Sequence, residues 1–109
     1  MDMRYMPLLG AAQGARRLHV HLTEIPDTSR HGHYSHAHEA EEAVYVLEGK
    51  AAYTFGGRTV EAGPGDLVFF PSRVPHAEVR YLTPGMRYLV IRSVEAGDPP
   101  CCCGADRNL

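Results

Sequence analysis

The sequence predicts an all-β fold, a single-domain sandwich or barrel, and three observations carry the prediction. Short runs of alternating apolar and polar residues recur along most of the chain, turn signals built on Gly and Pro separate them, and no segment shows a helical period. At 109 residues and 44% hydrophobic content, the chain has material for one domain with a modest core and none for a second.

Residues 1–15 carry Pro, Gly and Ala without a clear period and are expected to form an N-terminal arm, an edge or dimer contact, with the barrel running from 16 to 95. Leu18, Val20 and Leu22 alternate with Arg17, His19, His21 and Thr23, the pattern of a half-buried strand. The stretch from Pro26 to Tyr34 is turn-rich and carries His31 and His33, expected in a solvated loop. Next comes His36-Ala37-His38-Glu39-Ala40-Glu41-Glu42. If 36–38 is extended, its two imidazoles lie on one side of the strand, which is a metal-ligand spacing. In a straight strand Glu42 would then be about 13 Å beyond His38. The run 39–41 has no β-branched or aromatic residue and suits a bend, which would let Glu42 open a neighbouring strand through Leu47, ending at Gly49.

Ala51–Phe55 and Arg58–Glu61 flank Gly56-Gly57, and a two-residue glycine loop between β-rich arms predicts a type I′ or II′ hairpin. Gly63-Pro64-Gly65-Asp66 predicts a turn into Leu67–Phe70, a continuous apolar run short enough for a buried strand that Pro71 closes. A further strand from His76 to Leu82 puts His76, Glu78 and Arg80 on one side by parity. The last strand, from Met86 to Val94, sets Arg87, Leu89 and Ile91 against Tyr88, Val90 and Arg92. Residues 96–109 form a tail holding the three cysteines, Cys101, Cys102 and Cys103. Three adjacent thiols make no disulfide framework and are expected to stay reduced.

The formal charge is -2, and ten of the eleven basic residues are scattered arginines. This pattern argues against a nucleic-acid or membrane partner. No stretch has the length of a signal core or a membrane span, so the chain is expected in the cytoplasm. His19 and His21 repeat the spacing of His36 and His38 without an acidic companion, and are read as the polar face of an ordinary strand.

The segment His36-x-His38-x(3)-Glu42-x(6)-Gly49 resembles the first cupin motif, and Gly65-x(5)-Pro71-x(4)-His76 resembles the second. Arg30, Arg73 and Arg80 depart from the family pattern and leave its four ligand positions intact. The resemblance implies a jelly-roll-like antiparallel β-barrel in which His36, His38, Glu42 and His76 bind one divalent transition metal. Three imidazoles and a carboxylate suit Fe, Mn, Ni, Co, Cu or Zn rather than Ca or Mg. Four protein ligands on an octahedral ion leave positions open for a small-molecule substrate, so a dioxygenase, isomerase or lyase is expected. The alternative is a cupin that binds a metal or small ligand without turnover. Tyr53, Glu78 and Arg80 are the candidates for anchoring a substrate or moving a proton. Arg80 suits a carboxylate-bearing molecule if parity points it inward. Small cupins usually dimerise, so a homodimer is expected, with an apolar face left by an open jelly-roll edge as its surface.

Overall fold

A computed structural model describes residues 3–30, 41–74 and 76–94 of the chain. Among them are eight strands, β1 (Arg4–Leu9), β2 (Leu18–Ile25), β3 (Glu42–Glu48), β4 (Ala51–Phe55), β5 (Arg58–Ala62), β6 (Leu67–Phe70), β7 (His76–Tyr81) and β8 (Met86–Ser93), and two single 3-10 turns. Every strand pair is antiparallel, and the strands form a five-stranded sheet in the order β1-β2-β8-β3-β6 and a three-stranded sheet in the order β5-β4-β7. Ile25, Val44, Phe70 and Tyr88 from the larger sheet and Ala51 and Tyr53 from the smaller one share the core between them. No described helix is long and apolar enough to cross a membrane.

Local chemistry explains the turns. Gly56 and Gly57 have φ of 56° and 77°, the positive pair that a type I′ hairpin requires, and Phe55 pairs with Arg58 across them. In Gly63–Asp66 the Asp66 amide donates to the Gly63 carbonyl at 2.9 Å. Pro64 and Gly65 (φ 89°) then hold the two central positions of a type II turn. The Asp66 carboxylate accepts from the Gly63 amide at 2.9 Å, and backbone bonds between Val46 and both Gly65 and Asp66 tie the turn to β3.

Four features differ from the sequence reading. Residues 4–9, placed in an arm by composition, form the edge strand β1, whose ladder with β2 shifts register between Pro7 and Leu9. Proline cannot donate to a ladder and is tolerated at an edge, so its presence weakened the strand signal without preventing the strand.

The polar face of β2 is the interior face. His19, His21, Thr23 and Ile25 pair with Arg92, Val90, Tyr88 and Met86. His21, Thr23 and Ile25 are buried, while Leu18 on the other face is 51% exposed. The run Leu67–Phe70 alternates instead of being buried throughout, with Val68 and Phe70 inside and Leu67 and Phe69 exposed.

In β7 a bulge breaks the parity. Ala51 and Ala52 pair with Tyr81 and Arg80, but Tyr53 pairs with Glu78 and Phe55 with His76, so Val79 is an extra residue. Arg80 therefore shares the outer face with Ala52 and is exposed.

Candidate functional site

The strands that carry the candidate residues converge at one end of the barrel. Glu42 opens β3, and only 4% of it is exposed; the bend expected at 39–41 lies largely outside the described residues. It lies across from Phe70 at the end of β6 and from Arg92 near the end of β8. The Phe70 ring meets Phe55 edge-on at 5.5 Å and tilts against Tyr53 at 5.9 Å. Phe55 and Tyr53 are the ladder partners of His76 and Glu78. Phe70 thus links the strand bearing Glu42 to the strand bearing positions 76 and 78, across the two sheets. His36 and His38 lie outside the described residues, as do His31, His33 and the three cysteines. No metal-holding cluster of three or more His, Cys, Asp or Glu occurs among the described residues.

A polar row crosses the interior face of the five-stranded sheet. Antiparallel partners point to the same side, so His19, Arg92 and Glu42 sit side by side on β2, β8 and β3. The strand spacing puts the outer two about 10 Å apart. Arg92 is 1% exposed. A guanidinium this deep needs an acidic or hydrogen-bonding neighbour. Glu42, directly across the ladder, is the acidic neighbour that the register supplies.

Beside this row is a cluster that the sequence reading missed. The Tyr5 hydroxyl is hydrogen-bonded to His19 Nε2 at 2.8 Å. The Tyr5 ring lies 4.1 Å from that of His21, and His21 meets His19 edge-on at 5.4 Å. His21 Nδ1, Tyr53 Oη and Arg92 Nε are all shut off from solvent. Two histidines alternating with apolar residues were the available signal. By alternation alone they read as the polar face of an ordinary strand.

Of the substrate candidates, Tyr53 is fully inside and Glu78 holds the ladder position opposite it, whereas Arg80 is on the outside of the barrel. Glu41, one residue before the candidate ligand, is exposed, and its amide donates to Ser93 Oγ at 2.9 Å.

The donor chemistry suits a divalent transition metal. A carboxylate is buried where β3 begins, and in the sequence the imidazoles of His36 and His38 come six and four residues before it. The same carboxylate has a fixed cation beside it in Arg92, so its burial alone does not require a metal.

Comparison with known proteins agrees with this architecture. A family model described as a cupin domain matches residues 22–91. Over 58 residues the chain is 41% identical to the dimethylsulfoniopropionate lyase DddQ of Ruegeria pomeroyi, a stretch covering 52% of this chain and 29% of that enzyme. The crystal structure of that lyase superposes with a TM-score of 0.71 at 28% identity, covering 90% of this chain and 50% of the other. The polyketide cyclase RemF of Streptomyces resistomycificus superposes equally well, with a TM-score of 0.71 at 29% identity over 94% of this chain and 74% of that one. The EutQ protein of Clostridium difficile, at 20% identity and a TM-score of 0.63, shares the fold over 84% of this chain and 61% of its own. The chain therefore spans under a third of the curated lyase it matches.

Proposed function

Because the chain belongs to the cupin family, we propose that it is a mononuclear metalloenzyme of the lyase type acting on a small carboxylate-bearing substrate. His36, His38, Glu42 and His76 would hold one divalent transition metal. The observation that carries this reading is the burial of Glu42 at the barrel end where β7 also begins. When bound, such an ion supplies Lewis acidity at its open positions.

The chain's own residues do the rest. Phe70, Phe55 and Val44 wall the interior and exclude water, so charges within it interact more strongly than in solvent. Arg92 is the buried guanidinium on the interior face, and it takes the carboxylate-recognition role that parity had offered to Arg80. Tyr53, with its hydroxyl inside the barrel, is one group within the core able to donate or accept a proton, beside the buried His21. The lyase whose sequence matches acts, by its name, on a propionate derivative, which supports a small carboxylate as the substrate class.

A second reading, a cupin that binds a ligand without turnover, draws support from Arg92. With that cation beside it, Glu42 can be satisfied by protein alone. The two readings separate in one assay. Purified protein loaded in turn with Fe, Mn, Ni, Co, Cu and Zn is offered dimethylsulfoniopropionate and a panel of short substituted carboxylates. The enzyme reading expects turnover of at least one of them, abolished by Glu42→Ala and retained by Arg80→Ala. Saturable binding without turnover under every metal would establish the second reading in its place.

A further inference from the structure

The chemistry proposed above does not use the Tyr5–His19 pair, although the ladders place it on the same interior face as Arg92 and Glu42. Tyr5 pairs with Thr23 and so shares the face of His19, His21 and Thr23. His19 is the direct ladder partner of Arg92, which puts their Cβ atoms about 5 Å apart. Burial deepens along the row. Tyr5 and His19 are half-buried, whereas Arg92 and Glu42 are closed in. A small molecule entering from the open side therefore meets the pair before it reaches the guanidinium.

The geometry of the pair sets which atoms a ligand meets. Gly10 lies against the Nδ1 edge of His19, where a Cβ would come within 3.8 Å of that nitrogen. The other edge, Nε2, holds the Tyr5 hydroxyl at 2.8 Å. The buried His21 ring packs against both, 4.1 Å from the Tyr5 ring and 5.4 Å from that of His19. A phenol hydroxyl and an imidazole can each donate or accept, and neither carries a fixed charge. Together they suit an alcohol or carbonyl oxygen better than a second ion.

We propose that Tyr5 and His19 form the specificity subsite for a neutral oxygen substituent, so that the ligand of this barrel is a short hydroxy- or oxo-carboxylic acid. This rests on the reading that Arg92 takes the carboxylate. A guanidinium has more N–H donors than one bidentate carboxylate engages, so Glu42 and a ligand can share it. Spacing fixes the chain length. An oxygen on the third carbon of an acid lies about 3 to 4 Å from its carboxyl carbon, so an acid of about three or four carbons bridges neighbouring ladder positions. Charge fixes the substituent. A cationic group at this position would stand next to Arg92, a repulsion that an uncharged oxygen avoids. The matching lyase acts, by its name, on a sulfonio acid, whose cation is the group this subsite would reject.

The test is a chemical-shift titration of the full chain with labelled histidine side chains, on protein as purified and again after chelation of metal. The probes are 3-hydroxypropionate, propionate and dimethylsulfoniopropionate, which differ only at the third carbon. The hydroxy acid is expected to bind about 10-fold more tightly than either of the others and to shift the His19 ring resonances. Tyr5→Phe should bring the hydroxy acid to within about 2-fold of propionate. His19→Gln, which keeps a donor and an acceptor, should retain part of the preference. A contact that only ties β1 to β2 would weaken both acids alike and keep their ratio, and circular dichroism checks that each variant is folded. Equal binding of the hydroxy acid and propionate, tighter binding of the sulfonio acid, or a preference that survives Tyr5→Phe would each overturn the proposal. So would the absence of saturable binding by all three acids at about 100 mM. The outcome is separate from that of the enzyme reading. A Tyr5-dependent preference without turnover under any metal upholds the subsite in a binding cupin, and turnover indifferent to Tyr5→Phe upholds the enzyme without the subsite.

Discussion

Arg73 has φ of 64°, in the left-handed region where a side chain is strained. It occupies the position where the cupin motif carries glycine, so the departure noted in the sequence is also a backbone cost. Arg73→Gly is expected to stabilise the fold by about 1 kcal/mol, read as a rise in the denaturant midpoint at unchanged slope. Arg80 gives the converse lesson. Its exposed position outside the bulge predicts that Arg80→Ala shifts stability by less than about 0.5 kcal/mol and leaves metal content untouched. Single-residue parity could not have placed it, because a bulge is created by pairing with β4 and leaves no mark in residues 76–82 themselves. The Tyr5–His19 hydrogen bond was equally hidden, since its partners are 14 residues apart. Tyr5→Phe should cost about 1 kcal/mol, measured by chemical unfolding.

At the scale of elements, turn chemistry was the most legible part. The hairpin at Gly56-Gly57 and the turn at Gly63–Asp66 lie where glycine and proline put them, and β3 starts at Glu42 as the sequence suggests. Gly49 illustrates why such positions read well. Its φ is 88°, and a Cβ there would run into the Gly85 carbonyl, Met86 Sδ and Thr83 Oγ1. Gly49→Ala is therefore expected to destabilise by about 2 to 4 kcal/mol in thermal or chemical melts, more than backbone strain alone would cost. The inward direction of each strand was much less legible. In β2 His21 and Thr23 face the interior beside Ile25 while Leu18 on the other face is exposed, against a simple core rule, although Leu22 on that outer face is also covered. Burial patterns assume that the inside is oily and the outside wet. Where the inside is a polar site and the outside carries an apolar face, the period survives and its phase inverts.

For the whole molecule, topology does what the sequence motifs only suggest. Two sheets close over one core, and the first and second motif strands meet at Phe70 although they are separated along the chain. The cupin fold was legible because two independently spaced motifs and the turns agreed. Of the four candidate ligands the structure places Glu42, buried at the start of β3, and the backbone of His76, at the start of β7. The row from His19 through Arg92 to Glu42 exists because β8 inserts between β2 and β3, a pairing no local pattern encodes. That row also frames the central question, whether Glu42 serves a metal or only balances Arg92.

The most direct measurement is the metal content of untagged protein by elemental analysis, with Glu42→Ala and His36→Ala/His76→Ala purified alongside. About one equivalent of a transition metal in the wild type, lost in both variants, is the result expected of a four-ligand site. Less than about a tenth of an equivalent in all three, even after reconstitution with each candidate ion, would contradict the metalloenzyme and leave Glu42 as the counter-charge of Arg92 in a ligand-binding barrel.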